Sequence, residues 1–518
     1  MSRTRNAAVM AAFAYVQYGL AIVSGLVLIP LTLRYVGARD YGLWLASGDL
    51  LAYASMVDLG VLSVLPWMLA ESDGRRDREA MRTLVVNGLV VGVVVGVGYA
   101  LVAGALWMVL PSALRLTTAD RAIVGPPLAV LVLATMVGYP LRVFSAIIAG
   151  LQDVLFNGVL GIAQSLVTIL VTIVGLWKGY GLYALAAASA GSSLVVVVAS
   201  LARTVVLAPD LLTHWPSPTV RGVRMLLSNG GGVWFGAFGW QLLAASNNLV
   251  IAFIGHPEWV PVYACTAKLC LMSTQLAWVL PDSGLIGLAQ LHGEQRNTGR
   301  VRQVVMAMLR LHLLLAGGAA CGLLAFNPAF VTRWVGAAFF GGLSLNLVLV
   351  GGIILYSFIH GLVAAASVLG NRLQVGLVTL VNGVVQVLCA IVFGRMFGLV
   401  GIAAAGVVTG ALTAIPAGVV LLGPATSMTP RALAMEVVGP WAVRIAPLAV
   451  LALATSLFYR VLGVWITAGV TAAIGCAYLW QMRPLYRLLP LEPRWTRWLV
   501  SLRLMPPIAP AVAPAEQS

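Results

Sequence analysis

The chain has 518 residues, of which 61% are hydrophobic and only 9% are charged. A soluble domain carries about 25% charged residues, so this composition excludes a soluble protein. Because apolar segments long enough to span a bilayer recur throughout, it predicts an all-α polytopic membrane protein. The net charge of +15 would suit a nucleic-acid partner, but the distribution of the basic residues argues against one.

Fourteen apolar segments predict about fourteen transmembrane helices. The first extends from Ala7 to Leu33. It is longer than the apolar region of a signal peptide and lacks a small-residue cleavage site, so we expect it to be the first span. The connections are short, and we expect no soluble catalytic domain among them. The predicted spans are 8–33, 43–69, 84–109, 123–149, 157–177, 182–206, 226–254, 259–290, 304–326, 344–369, 373–393, 399–422, 441–460 and 463–481.

The basic residues divide unevenly between the two sides of these spans. With the N-terminus in the cytoplasm, twenty Lys and Arg residues fall on cytoplasmic segments and eight on outer segments. Three lie within spans, namely Arg142, Lys268 and Arg310. The positive-inside rule therefore predicts that both termini are cytoplasmic. The basicity reflects topology and attraction to anionic lipid headgroups, so we expect no nucleic-acid partner.

The chain also contains an internal repeat, which relates residues 34–204 to residues 255–415. Gly181 and Gly398 coincide, and each is followed by Leu and then by an alanine run. Gly150 also pairs with Gly370, and Asp58-Leu-Gly60 pairs with Asp282-Ser-Gly284. Repeats of this size in membrane chains are typical of transporters. Six spans in each half predict two pseudo-symmetric six-helix lobes of the same orientation, at 1–222 and 223–428, followed by a C-terminal helix pair and a cytoplasmic tail at 429–518.

Polar residues inside the spans are the candidates for a functional site. A charge near the bilayer centre costs at least about 2.5 kcal/mol, so it needs a partner, water or a function. The substrate-binding candidates are Arg142, Lys268, Gln17, Gln241 and Asn247. Arg142 and Lys268 could line a water-filled chamber that accepts an anionic headgroup, and Arg142 could bind phosphate oxygens in bidentate fashion. The alternative is a structural ion pair between Arg142 and Asp58.

Three intramembrane acids are candidates for gating or ion coupling: Asp49, Asp58 and Asp282. Asp58 and Asp282 occupy matching places in the two repeats. They could form a gate with basic partners, carry a coupled proton or sodium ion, or cap broken helix ends. Pro281 precedes Asp282 directly and predicts a bend in that span.

Sequence motifs for catalysis and metal binding are absent. The chain has no nucleotide-binding Gly-x-x-x-x-Gly-Lys-Ser/Thr sequence, no His-Glu-x-x-His and no Gly-x-Ser-x-Gly. The five cysteines lie in apolar segments without metal spacing, and the five histidines are too scattered to predict a cluster. We therefore predict no enzyme, no catalytic residue, no metal site and no cofactor, with coupling to a proton or sodium gradient left open.

Several stretches carry a family resemblance. The first two spans contain Gly25-Leu-Val-Leu-Ile-Pro-Leu-Thr-Leu-Arg-Tyr-Val-Gly37, then Tyr41-Gly-Leu-Trp-Leu, then Asp58-Leu-Gly60. The second half contains Asn247-Asn-Leu-Val-Ile-Ala-Phe-Ile-Gly255, Tyr263 and Phe330-Val-Thr-Arg-Trp-Val-Gly336. Together with the span count and the repeat, these resemble the Wzx-type polysaccharide flippases of the multidrug/oligosaccharidyl-lipid/polysaccharide exporter superfamily.

The resemblance implies two six-helix lobes around a cation-lined cavity and alternating access. The implied cargo is a polyprenyl-pyrophosphate-linked oligosaccharide, which would cross the bacterial cytoplasmic (inner) membrane for surface polysaccharide biosynthesis, such as that of lipopolysaccharide or exopolysaccharide. The implied partners are this lipid-linked oligosaccharide, membrane lipids, and the polymerase and glycosyltransferases of the pathway. The two-lobed layout suits a monomer.

Three other functions compete with a flippase. A multidrug exporter of the same superfamily should have acids in spans one, seven or eight, and spans one and seven have none. An integral-membrane polymerase or ligase should have a sizeable outer loop, whereas the longest outer connection, Asn327 to Leu343, contains one Arg and no acid or His. A membrane scaffold would explain neither the repeat nor the intramembrane charges.

Overall fold

A computed structural model describes residues 3–113, 116–254, 257–282, 284–285, 288, 291 and 298–489. These residues are almost entirely helical, and no β-strand occurs among them. The all-α prediction is therefore confirmed. A chain that spans a bilayer must satisfy its backbone hydrogen bonds within each segment, and helices do so.

The helices follow the predicted spans in chain order. In the first half they are α1 Arg3–Val36, α2 Ala38–Ala54, α3 Val61–Gly74, α4 Arg78–Ala113, α5 Thr118–Gly150, α6 Val154–Trp177 and α7 Leu182–Leu207. In the second half they are α8 Val220–Ile254, α9 Trp259–Asp282, α10 Thr298–Trp334, α11 Leu343–Leu369, α12 Arg372–Thr409, α13 Ile415–Thr426, α14 Pro430–Leu433, α15 Gly439–Leu457, α16 Tyr459–Gln481 and α17 Arg483–Tyr486. Two π-turns, Gly410–Ala414 and Ala434–Val438, join consecutive helices near the C-terminal end.

Eleven helices of the described residues are long and apolar enough to cross a membrane. The difference from fourteen has three sources. The second predicted span is divided between α2 and α3, α9 is not among the eleven, and Leu373–Thr426 is continuous although its backbone breaks at Gly398. The described helices therefore cover all fourteen predicted positions, and the polytopic architecture is confirmed.

The two repeat-related glycines share an unusual backbone conformation. Gly181, which precedes α7, has φ 54° and ψ −129°. Gly398, inside α12, has φ 60° and ψ −140°. Residues with a Cβ atom rarely adopt this conformation, so both positions favour glycine. The sequence repeat thus has a counterpart in the backbone at this pair.

The chain forms two compact units that alternate along the sequence. The first comprises Met1–Cys265, Trp334–Phe339 and Arg372–Thr409, and the second comprises Thr266–Arg333, Phe340–Asn371 and Gly410–Ser518. The predicted lobe boundaries at residues 222 and 428 stay a prediction.

In the first unit, α8 and α12 pack against each other along a seam of glycines. A Cβ atom at Gly239 would lie 2.5 Å from the backbone nitrogen of Leu380, and one at Gly383 would lie 2.8 Å from the carbonyl oxygen of Gly239. Small residues of this kind let helix backbones approach closely, which is a common source of packing energy between membrane helices.

In the second unit, two C-terminal helices are joined to α10 by buried polar contacts. The Tyr478 hydroxyl of α16 donates to the Leu314 carbonyl oxygen at 2.8 Å, and it accepts from Trp441 Nε1 of α15 at 3.3 Å. Gly317 provides the space, since a Cβ atom there would lie 2.6 Å from the Tyr478 hydroxyl. The last two predicted spans are therefore anchored to this unit.

Candidate functional site

Asp58 closes a break between two helices. After α2, a 3₁₀ turn runs from Ser55 to Asp58, and then Leu59 and Gly60 have φ angles of 48° and 75° before α3 begins. Asp58 Oδ1 accepts a hydrogen bond from the Gly60 backbone nitrogen at 2.9 Å. This contact satisfies a donor that would otherwise be orphaned at the start of a helix. The geometry agrees with the alternative in which Asp58 caps a broken helix end.

The break lies directly against α8. A Cβ atom on Gly230 would be 2.5 Å from the Leu59 carbonyl oxygen, and one on Gly60 would be 2.7 Å from the Gly230 carbonyl oxygen. Trp234, one turn further along α8, donates from Nε1 to the Met56 carbonyl oxygen at 2.7 Å. The irregular backbone is therefore held by close glycine packing on one side and by a side-chain donor on the other.

Arg142 lies on α5 close to this break, and its side chain is exposed. Its guanidinium carbon is 4.6 Å from the centre of the Tyr139 ring, a cation–π distance. Tyr139 is only 1% exposed, and its hydroxyl donates to the Ser55 carbonyl oxygen at 3.4 Å. Arg142 and Asp58 interact electrostatically, but none of the ion pairs within the described residues joins them. The buried Tyr139 ring thus orients the Arg142 guanidinium, which has no carboxylate of the described residues in ion-pair contact with it.

Arg310, the other intramembrane arginine, differs from Arg142 in its contacts. Its Nε and Nη2 donate to the Glu436 carbonyl oxygen at 3.3 and 3.2 Å. Glu436 belongs to the π-turn Ala434–Val438, where the usual helical hydrogen-bond pattern changes. The Glu436 carboxylate also pairs with Arg302 at 2.7 Å. These contacts give Arg310 a structural role.

Gln17, Gln241 and Lys268, three further substrate-binding candidates, lie in three different helices. Gln17 of α1 donates from Nε2 to the Gly158 carbonyl oxygen at 3.4 Å, which is a weak helix–helix contact. Gln241 of α8 and Lys268 of α9 are both half-buried. Their assignment to substrate binding stays a prediction.

Asn247 and Asp49 each place a side-chain oxygen inside the first unit. Asn247 Nδ2 donates to the Tyr263 hydroxyl at 2.8 Å, and Asn248 lies beside Asp49. Asn247 Oδ1 and Asp49 Oδ2 are buried acceptor atoms with no hydrogen-bond partner. Buried oxygens of this kind suit a proton, a water molecule or a cation. The assignment of Asp49 to ion coupling stays a prediction.

Asp282 contacts two histidines in the second unit. Nε2 of His360, on α11, lies 2.9 and 3.1 Å from the two carboxylate oxygens of Asp282. Nε2 of His312, on α10, lies 4.0 Å from Asp282 Oδ1. The His360 ring stacks on Trp278, with ring centres 4.0 Å apart and planes 5° apart. Helices α9, α10 and α11 thus each contribute one titratable group to a single cluster.

The expectation that the histidines form no cluster is wrong for this pair. His312 and His360 are separated by 48 positions in the sequence, yet their ring centres are 5.8 Å apart. Sequence spacing could not reveal the contact because it depends on the rotation of two helices about their axes. The available signal was weaker, since both histidines lie in strongly apolar segments where a polar side chain needs a partner.

Among known proteins, the matches to this chain are solved structures with a similar fold. No protein-family model and no curated protein matches the chain. An inward-facing multidrug resistance MATE family transporter of the MOP superfamily superposes with a TM-score of 0.67 at 17% identity, over 79% of this chain and 94% of that one. The lipid II flippase MurJ, in its inward closed conformation, gives 0.67 at 12% identity, over 92% of this chain and 98% of that one.

The chain shares the fold of these transporters. A MATE family transporter in its outward-facing conformation also matches, with a TM-score of 0.52 at 18% identity over 81% of this chain and 93% of that one. At such low identity the likeness concerns the fold alone, because one fold can host several functions.

Proposed function

We propose that this protein is a flippase of the bacterial cytoplasmic membrane. Its cargo would be a polyprenyl-pyrophosphate-linked oligosaccharide, which it moves to the outer leaflet by alternating access for surface polysaccharide biosynthesis. The observation that carries the proposal is the fold shared with the lipid II flippase MurJ over 92% of this chain and 98% of that one. The lipid II flippase activity is that of MurJ. For this chain we propose a cargo of the same class, a lipid-linked saccharide.

The chemistry of Arg142 supports an anionic cargo. A guanidinium always carries its charge, and its planar N–H groups match two phosphate oxygens at once. In this chain the group rests on the Tyr139 ring with its side chain exposed, so it can reach a ligand without losing a carboxylate partner. We assign Arg142 to the pyrophosphate, and Lys268, Gln17, Gln241 and Asn247 to further cargo contacts.

Transport would be driven by an ion gradient, with both termini in the cytoplasm and pathway enzymes as partners. A proton or sodium gradient would act through Asp49, Asp58 or Asp282. Both termini would be cytoplasmic, in line with the distribution of basic residues. The protein would work as a monomer in contact with membrane lipids, and its cargo would come from glycosyltransferases and pass to a polymerase.

Multidrug export is the second candidate function. The inward-facing MATE family transporter matches with the same TM-score of 0.67, although it covers a smaller share of this chain. An exporter of cationic drugs needs acidic groups at its binding site, and Asp49 offers a buried carboxylate oxygen without a hydrogen-bond partner. The two functions therefore differ in the sign of the cargo charge.

Deleting the gene and locating its lipid-linked intermediates distinguishes these functions. We expect the deletion cells to lack the surface polysaccharide and to accumulate the lipid-linked oligosaccharide on the cytoplasmic leaflet. The leaflet is determined by reacting intact spheroplasts and inverted vesicles with a membrane-impermeant sugar oxidant. Unchanged glycolipid combined with greater sensitivity to cationic drugs would contradict the flippase and favour the exporter. A plasmid copy of the wild-type gene is the control and should restore the surface polymer.

A further inference from the structure

We propose that Asp282, His312 and His360 form a binding site for one divalent transition-metal ion of the zinc class. Their potential ligand atoms all lie within 4.8 Å of one another. Two imidazole nitrogens and one carboxylate are a ligand set that Zn²⁺ uses in proteins, with a further position left for water or an exogenous ligand.

The hydrogen bonds of His312 fix which of its nitrogens can bind a metal. Nδ1 lies 2.9 Å from the Met308 carbonyl oxygen, which can only accept, so Nδ1 carries the proton. Nε2 of the neutral ring then presents a lone pair. The His312 side chain is 0% exposed, and Nε2 has no hydrogen-bond partner. A buried acceptor without a donor is costly, and a metal ion would satisfy it.

The contacts of His312 match the surroundings of a metal-binding histidine, and the His360 ring is held by stacking. A ligating imidazole commonly donates its second nitrogen to a carbonyl or carboxylate, which fixes the ring and its tautomer. His312 does so through Met308. His360 is oriented by its stacking on Trp278, whose Nε1 donates to the Ser357 hydroxyl at 3.2 Å. Both rings are thus held in place by groups outside the ligand set.

The distances require only a small adjustment to admit an ion. Ligand atoms on a tetrahedral zinc with bonds of about 2.0–2.1 Å lie about 3.3 Å apart. Asp282 oxygens now lie 2.9 Å from His360 Nε2 and 4.0 Å from His312 Nε2. Asp282 is the last residue of α9, and its side chain is 34% exposed, so it can rotate between the two rings. The exposed side of the carboxylate marks where a fourth ligand would enter.

Metal titration of the full-length protein in detergent tests this site. The protein is first stripped with a chelator, and Zn²⁺ is then added and counted by elemental analysis after desalting. We expect about one Zn²⁺ per chain. Asp282→Asn, His312→Gln and His360→Gln should each weaken binding at least about tenfold, because loss even of an outer partner costs 10- to 100-fold. His214→Asn, at an exposed histidine outside the cluster, should still bind one ion.

Cobalt absorption and thermal unfolding provide two further readouts, and the unfolding transition identifies variants that fail to fold. Co²⁺ in the wild-type site should give the intense visible absorption of a four- or five-coordinate ion, and excess Zn²⁺ should remove it. Zn²⁺ should also raise the thermal unfolding temperature of the wild type and of His214→Asn, but not that of the three ligand variants.

The proposal is overturned if the stripped wild type binds less than about a tenth of an equivalent of Zn²⁺. Equal binding by folded ligand variants would overturn it too. Neither result depends on transport.

Discussion

Alanine at Arg142 should reduce the initial rate of cargo translocation by at least about tenfold without lowering the amount of folded protein. Charge-assisted hydrogen bonds contribute about 1.5–3 kcal/mol each, and about 1.4 kcal/mol corresponds to tenfold in rate. Arg142 forms no ion pair within the described residues, and Asp58 keeps its hydrogen bond from the Gly60 backbone nitrogen when Arg142 is removed. The change should therefore leave that carboxylate with a partner. The rate is measured in proteoliposomes that contain equal amounts of monodisperse protein and a fluorescent polyprenyl-pyrophosphate oligosaccharide.

Two further variants serve as controls. One keeps the positive charge at position 142 but changes the geometry of the charged group, and the other removes a different arginine from the same helix. Arg142→Lys keeps the charge but loses bidentate binding and the stacking of a planar group on Tyr139, so we expect an intermediate rate. Arg121→Ala removes an exposed arginine near the beginning of the same helix and should leave the rate unchanged. A wild-type rate for Arg142→Ala would show that this cation does not bind the cargo.

Valine at Gly230 should prevent the chain from accumulating as a folded protein. The first carbon of its side chain would lie 2.5 Å from the Leu59 carbonyl oxygen and 2.9 Å from the Val61 backbone nitrogen. Both neighbours are backbone atoms of the break between α2 and α3, so they cannot move aside as a flexible side chain would. Overpacking costs about 1–3 kcal/mol and occasionally more, and a clash with backbone belongs at the upper end of that range.

The matched control is Gly138→Val, because a Cβ atom at Gly138 meets no atom within 4 Å. Valine has a higher helix propensity than glycine, so this variant should fold at least as well as the wild type. The measurements are the monodisperse yield on size exclusion and the thermal unfolding temperature. Equal yields and unfolding temperatures for the two variants would contradict the close contact of α8 with the helix break.

The sequence predicted the architecture well because the bilayer restricts it so strongly. Apolar length alone located the helices, since a spanning segment has few alternatives to a helix. The repeat paired Gly181 with Gly398 but did not predict their conformation, and both have a positive φ angle that glycine adopts most readily. Helix capping was one of the alternatives for Asp58, and its carboxylate does accept from the Gly60 backbone nitrogen, as Asp side chains often do.

The contacts between helices were less predictable. Arg142 was located by depth and charge, but its placement on Tyr139 follows from a spacing of three residues on one helix and from the chosen rotamers. The contact between Asp282, His312 and His360 depends on three helices and was missed. Arg310 donates to a carbonyl oxygen of a π-turn that the sequence did not predict.

A comparison of two cargoes in one reconstituted system decides between flippase and multidrug exporter. Proteoliposomes with the wild-type protein are given either the lipid-linked oligosaccharide or a lipophilic cationic drug, and the transfer of each across the bilayer is timed. We expect rapid transfer of the oligosaccharide carrier, no acceleration of the drug, and loss of the oligosaccharide transfer in Arg142→Ala. Accelerated drug transfer with an immobile oligosaccharide carrier would show that the protein is a multidrug exporter and not a flippase.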